Sequence, residues 1–330
     1  MKSVFFEGIN NIGDELNRYI WPHLFKPQED DISLMAIGTL LDRNFSAQLN
    51  TSRHIVVFGT GAGYGTPPEP DERWHFYGVR GLKTCQAMGL DHRLAATDAA
   101  YTMATLDWSA IKPETPKDIV VIPHHASLNY IDWETICSHA GLKYLPPTIS
   151  PVAFFSTLAN ARLVIAEAMH GAILADIMRT PWISFEYGQQ FLGSKWQDWL
   201  GMFDMTVAPN RAPAFYDPMF YNQDKSTLFH KNRLLKSKLA HYGIGKAKWR
   251  TAMLPHATTS KAGDGLIEFL QMLSTQDGHL SNATAFDNRV SDLYERFHRL
   301  ARDWNLTLLR SQLDGHPLKL FQQHGFVAPQ

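Results

Sequence analysis

The sequence predicts an α/β protein of two parallel-sheet units followed by a helical tail. Three observations predict it. Short apolar runs alternate with helix-like segments along the first two thirds of the chain. A charged stretch around Ser109–Asp118, carrying Pro113 and Pro116, divides that alternation into two series and reads as an interdomain linker. Beyond about Asp224 the strand-like runs stop.

The elements follow in order. Val4–Phe6 is a short apolar strand, and a helix starts at about Gly13–Tyr19 with Asn11 placed to cap it. Ile32–Ile37, His54–Phe58 and His75–Val79 read as buried parallel strands. The Pro-rich, acidic Thr66–Arg73 is a loop, and Gly81–Met88 is a helix. In the second series Ile119–Ile122, Lys143–Leu145 and Leu163–Ala166 are strands. Trp133–Ala140 and Pro151–Asn160 are the helices between them, and Pro181 opens a further strand. Trp196 and Trp199, three apart, form a helix-packing pair rather than a sugar platform. Tail helices are expected near Leu228–Tyr242, Asp264–Leu273 and Asn288–Asn305.

Composition removes several function classes. The 330 residues carry a net charge of −1 with no long basic block, which argues against extensive nucleic-acid or membrane electrostatics, so any anion site must be local. Two cysteines, Cys85 and Cys137, make no disulfide framework. The opening MKSVFFEGINNIGDELN lacks the form of a signal peptide, and no window approaches eighteen consecutive apolar residues. A cytoplasmic protein is expected.

The candidate chemistry lies at strand ends. In Glu167-Ala168-Met169-His170-Gly171 a histidine sits between a strand and a helix, where an open parallel sheet binds ligands and a helix N-terminus favours anions. Glu167 is a candidate base, or the acid that holds the His170 tautomer. His124 and His125 end another strand and suit a phosphate or carboxylate when protonated; the plainer alternative is a ring capping backbone groups. A zinc site has little support, since no HExxH occurs and neither cysteine has metal-like spacing. The turn Gly59-Thr60-Gly61-Ala62-Gly63-Tyr64-Gly65 fits neither the dinucleotide pattern nor the P-loop, and reads as backbone approaching a ligand closely or as a tight turn. Asp14 is a candidate base in Asn11-Ile12-Gly13-Asp14, unless it only complements the helix dipole. Arg80 and Lys83 begin a helix, and arginine suits bidentate anion binding; a solvated helix face is the alternative, more so for Lys83.

These segments, in order from Phe6 to about Gly201, resemble the polysaccharide pyruvyltransferase family. The resemblance rests on Asn11–Leu16, Val56–Gly63, Val79-Arg80-Gly81, Thr97-Asp98, Ile122–His125 and Met169-His170-Gly171-Ala172-Ile173. It lies nearest the branch that ketalates bacterial exopolysaccharide repeat units. It implies a GT-B-like pair of Rossmann-like domains facing a cleft, residues 1–115 on the acceptor side and 116–330 on the donor side, with the tail from about 225. It also implies transfer of pyruvate from phosphoenolpyruvate, a co-substrate, onto two sugar hydroxyls with release of phosphate, and no cofactor or metal. The acceptor implied is a sugar, commonly in a lipid-linked oligosaccharide, which would bring the protein to the inner face of a membrane. Relatives often carry arginine where this chain has Ala168 and the His124-His125 pair, so His124, His125, Arg80 and Lys83 are the candidate substitutes. His170 is then the general acid, Asp14 or Glu167 the base, and the amides of Gly61–Gly63 and of the helix after His170 hold anionic groups. Asn11, Gly13, Gly59, Thr60, Ala62, Met169 and Gly171 complete the binding set. The competing readings are a nucleotide-sugar glycosyltransferase of the same architecture and a non-catalytic sugar-binding protein.

Overall fold

A computed structural model describes residues 1–7, 11–26, 31–63, 65–187, 191–213, 215, 217, 220, 235, 260–309 and 316–322. The helix expected near Leu228–Tyr242 lies outside the described residues, apart from the isolated Leu235. Two parallel sheets carry the chain. In the first, β1 (Lys2–Val4), β2 (Ile32–Met35), β3 (His54–Phe58) and β4 (Trp74–Gly78) stand side by side in chain order. The second has the order β6-β5-β7-β8-β9, with β5 (Asp118–Ile122), β6 (Lys143–Tyr144), β7 (Ala161–Ala166), β8 (Trp182–Glu186) and β9 (Asn210–Arg211). Every pairing in both is parallel. These strands bury both faces, which is why they appear in the sequence as continuous apolar runs.

The helices are α1 (Ile12–Leu24), α2 (Arg43–Ser46), α3 (Leu82–Met88), α4 (Trp133–Ala140), α5 (Pro151–Ala159), α6 (Met169–Ile177) and α7 (Gly193–Leu200). In the tail follow α8 (Ser260–Ser274), α9 (Ala283–Asp303) and α10 (Lys319–Gln322). No described helix is long and apolar enough to cross a membrane.

Two local differences from expectation have clear causes. The first strand ends at Val4, because Phe6 turns aside to pack on Phe45 with ring centroids 4.7 Å apart. β2 ends at Met35 rather than Ile37, because the Asn17 side chain takes the place of a neighbouring strand. Its Nδ2 donates to Ile37 O (2.9 Å), and Ile37 N–H donates back to its Oδ1 (3.1 Å).

The largest apolar core is continuous across both sheets. It joins Val56 and Phe58 of β3 to Ala166 of β7 and Trp182 of β8 through Ala99, Tyr101 and Met103. Tyr101 lies in a 3-10 segment, Ala99–Thr105, and its hydroxyl donates to Asp176 of α6 (2.8 Å) and accepts from Trp199 of α7 (3.1 Å). Trp196 and Trp199 pack on Trp182 at 5.9 and 5.2 Å, as core. A second cluster seals the outer face of β5, β7 and β8 under α4 and α8.

The boundary expected near residue 115 falls in the irregular stretch between a 3-10 turn, Trp108–Ile111, and β5. The tail expected to follow the second unit is divided between the two. α8 packs on α4, whereas α9 crosses back to the first sheet, where Arg296 donates to Tyr77 O (3.0 Å) and Phe297 meets Phe58 at 6.0 Å.

Candidate active site

In the second sheet the chain leaves β5 toward β6 on one side and returns through β7 on the other, so its topological switch point lies between β5 and β7. The crevice outside the carboxyl ends of two such strands is where an open parallel sheet takes its ligand. Ile122 ends β5 and Ala166 ends β7, so His124-His125 and Glu167–His170 emerge side by side there.

Three helix N-termini mark this region: α1 after β1, α6 after β7 and α7 after β8. None is capped by its own N-cap side chain, at Asn11, Ala168 or Leu192. By contrast α2, α4, α5 and α9 are capped by Asp42, Asp132, Ser150 and Asn282. At α1 the first amide is nonetheless taken, Ile12 N–H donating to Pro147 O (2.7 Å), so the starts of α6 and α7 are the ones whose amides and dipole suit an anion.

His170 stands in the first turn of α6 with its side chain 11 % exposed. One edge of the ring lies against α1 so closely that a Cβ on Gly13 would sit 1.9 Å from Nδ1. Only glycine allows the two helices to meet in this way. The other edge turns Nε2 toward Asp98 Oδ2 at 3.6 Å. Asp98 is fully buried at the start of the Ala99–Thr105 segment, where its Oδ1 accepts from Ala100 N–H (3.0 Å). Asp14, in the first turn of α1, is 9 % exposed and accepts from Asn11 Nδ2 (2.9 Å). Asn11 thus steadies Asp14 rather than capping the helix by its side chain.

His124 and His125 stack with centroids 4.2 Å apart. Burial, reinforced by His125, Lys195 and His170, pushes His124 well below the ordinary histidine range. Its Nδ1 also accepts from Ala126 N–H (3.2 Å), an acceptor role that a protonated nitrogen cannot fill. Burial lowers His125 as well, with Asp14 opposing and Lys195 adding to the shift. Both shifts favour the uncharged ring, which runs against the expectation of two protonated anion ligands, and His124 has the capping role that was its alternative.

A cation of the region, among the described residues, is Lys195, in the first turn of α7. Its aliphatic stem lies against Gly63, where a Cβ would come within 2.6 Å of Lys195 Cγ. It is half-buried, and its charge is felt at both histidines.

Four other expectations meet a different arrangement. Glu167 is 1 % exposed, and its carboxylate accepts from His124 N–H (2.8 Å) and Ser127 Oγ (2.8 Å), so it braces the turn after β5; the acid that meets His170 is Asp98. Arg80 is fully buried. It donates to Asp198 Oδ2 (3.2 Å), Thr39 Oγ1 (3.0 Å) and Ala62 O (2.9 Å), which makes it a strut between β4 and α7 rather than an anion ligand. Lys83 is exposed on α3. In the Gly-rich turn two of the expected anion-holding amides are committed, Gly61 N–H to Gly38 O (3.1 Å) and Ala62 N–H to Thr84 Oγ1 (3.1 Å). A Cβ on Gly61 would lie 2.2 Å from Arg80 Cζ, so the turn's smallness serves that packing. Gly59 N–H donates to Gly78 O, and Thr60 is buried between Gly38 O and Leu40 N–H. Met169 is buried at 6 %, and Gly171 packs on Ile122.

Sequence reasoning missed Lys195 and gave Asp98 no role. Lys195 had a usable signal, since it follows β8 in the same strand-loop-helix order that singled out His170. Asp98 had only its place beside Thr97 in the ordered motif set.

An imidazole facing a buried acid at the switch point of a parallel sheet, with a lysine-bearing helix start in the same region, defines an α/β protein with a candidate ligand site at its strand ends. A family profile described as polysaccharide pyruvyl transferase matches residues 11–189, a span that contains Asn11, Asp14, Asp98, His124, His125 and His170. The chain therefore belongs to the polysaccharide pyruvyl transferase family. It is similar to the succinoglycan biosynthesis protein ExoV of Rhizobium meliloti (strain 1021), with 32 % identity over 220 residues that cover 64 % of this chain and 68 % of the relative. No solved structure gives a significant match.

Proposed function

We propose that this chain transfers pyruvate from phosphoenolpyruvate onto two hydroxyls of one sugar in an exopolysaccharide or its lipid-linked precursor, closing a cyclic ketal and releasing phosphate. The observation that carries the reading is His170 itself. It stands at the switch point of the second sheet, pressed on the acid-bearing start of α1 of the first and facing Asp98 at 3.6 Å. The family supplies the pyruvyl group. The name of the similar rhizobial protein supplies the exopolysaccharide, by extension to this chain.

The chemistry asked of the residues is modest. The enol methylene must gain a proton, one sugar hydroxyl must lose one as it attacks, phosphate must depart with its C–O bond broken, and a second hydroxyl must close the ring, its proton leaving on the phosphate. His170 gives the proton. Asp14, on the facing helix, takes the proton of the acceptor hydroxyl. Lys195 and the open helix starts of α6 and α7 hold the carboxylate and phosphate, which they favour by charge and by oriented amides. A general acid of this kind contributes about 10²–10⁴-fold.

In this reading the two sheets act as the halves of a GT-B-like cleft, residues 1–115 facing the acceptor and the second unit facing the donor. A lipid-linked acceptor would bring a cytoplasmic protein to the membrane surface. The test is mass spectrometry of 4,6-diol glycosides incubated with the protein and phosphoenolpyruvate. The expected product carries one pyruvate joined with loss of one water, together with inorganic phosphate. Nucleotide release from a nucleotide sugar, with phosphoenolpyruvate inert, would replace this reading by glycosyl transfer. Saturable sugar binding without turnover of any donor would leave only a binding protein.

A further inference from the structure

Two buried polar atoms beside the site lack hydrogen-bond partners among the described residues, and they face each other. His170 Nε2 and Asp98 Oδ2 are both shut from solvent and stand 3.6 Å apart. An unpartnered buried polar atom costs about 1–3 kcal/mol, so a pair of them pointed together is a feature that needs a reason.

The elements that carry them are locked to each other. Asp98 begins the segment that holds Tyr101, and His170 begins the helix that holds Asp176; the Tyr101 hydroxyl donates to Asp176 (2.8 Å) inside the core. Asp176 is further fixed by Ser281, whose N–H and hydroxyl donate to its two oxygens (2.8 and 2.7 Å). The Asp98 carboxylate cannot rotate freely, because its other oxygen caps Ala100 N–H (3.0 Å).

We propose that Asp98 is the positioning residue for His170: it holds the proton of the neutral ring on Nε2, so that Nδ1, on the Gly13 side, is the nitrogen that exchanges a proton with substrate. When Nδ1 is also protonated the ring is a cation, and the Asp98 carboxylate faces that charge across a buried contact. The proton given to substrate leaves Nδ1, and Nε2 keeps its own. The tautomer is a property of the protein alone, whereas its use in turnover rests on the reading of His170 as the acid.

The test is ¹⁵N NMR of the histidine-labelled full chain, with the His170 ring assigned by difference against His170→Gln. The wild type is expected to show the Nε2–H tautomer. Asp98→Asn keeps an oxygen for the Ala100 cap, which then turns its NH₂ toward Nε2, makes that nitrogen an acceptor and moves the proton to Nδ1. The substitution is expected to invert the tautomer and lower kcat by about 10²–10³-fold with KM for phosphoenolpyruvate little changed. An Nδ1–H ring in the wild type overturns the proposal, and this arm needs no variant to fold. So does a folded Asp98→Asn protein with wild-type tautomer and kcat. A wild type inert toward phosphoenolpyruvate whose tautomer still inverts on Asp98→Asn sinks the pyruvyl-transfer reading and upholds the Asp98 assignment.

Discussion

The closest test of the site's geometry is Gly13→Ala. A Cβ built on Gly13 falls 1.9 Å from His170 Nδ1, 2.4 Å from Cγ and 2.7 Å from Cε1, whereas ordinary contact begins at 3.4 Å. The ring must therefore retreat by about 3.4 − 1.9 = 1.5 Å. It cannot retreat toward Asp98, 3.6 Å away on its far side, so it must swing out of the site. A displacement near 1 Å costs a reaction about 10²-fold, so kcat should fall by at least about that factor. Stability should change far less. Alanine inside α1 gains up to ~1 kcal/mol over glycine, against about 1–3 kcal/mol for the overpacking that the ring relieves by moving. The assay is phosphate release from phosphoenolpyruvate with a diol glycoside, run beside thermal melts. Gly201→Ala is the control, because a Cβ there meets nothing within 4 Å. A Gly13→Ala protein with wild-type turnover would show that the contact between α1 and His170 does not position the acid, and the reasoning would fail.

Three further expectations follow from the same geometry. Lys195→Ala removes a charge-assisted donor worth about 1.5–3 kcal/mol, so KM for phosphoenolpyruvate should rise about 10- to 150-fold in steady-state kinetics; an unchanged KM would remove Lys195 from the donor site. Glu167→Gln leaves one of its two acceptor roles unfilled, and should cost about 1–3 kcal/mol in denaturant unfolding while kcat stays within about tenfold of wild type. A loss of 10²-fold or more without loss of stability would restore Glu167 as a catalytic acid or base. Because burial lowers His124 and His125 in the folded protein, the unfolded chain takes up protons below about pH 6.5 that the folded one refuses. Stability should therefore fall as the pH drops below that value, by at most ~1.4 kcal/mol per pH unit for each ring, and the two rings should add no slope above it. His124→Asn, which keeps an acceptor for Ala126 N–H, should flatten this dependence in unfolding experiments; a slope identical to wild type would refute the assignment.

What the sequence disclosed is what local physics decides. β3 at His54–Phe58 and α4 at Trp133–Ala140 fall where they were expected, because apolar runs and helix stops are written in adjacent residues. His170 was legible for the same reason, as a strand-to-helix junction. Most of the differences involve partners distant in the chain. Arg80 passes for a ligand until Asp198, 118 residues on, takes its guanidinium. Glu167 passes for a base until the turn after β5 returns to its carboxylate. Two adjacent histidines suggest positive charge, but burial and a backbone donor keep His124 neutral. Asn17 shortens β2 by imitating a strand, which no pattern of apolar residues announces. Asp98 was quoted without a function because the residue it faces lies in the other unit.

The central claim is that this chain moves pyruvate from phosphoenolpyruvate by proton transfer at His170. Its most direct test is inorganic phosphate release from phosphoenolpyruvate in the presence of 4,6-diol glycosides, measured for the wild type and for His170→Ala. The account predicts acceptor-dependent release by the wild type, and a fall of about 10²–10⁴-fold in a His170→Ala protein that melts at nearly the same temperature. Near-wild-type release by that variant, or no release by the wild type with any diol acceptor, would contradict it.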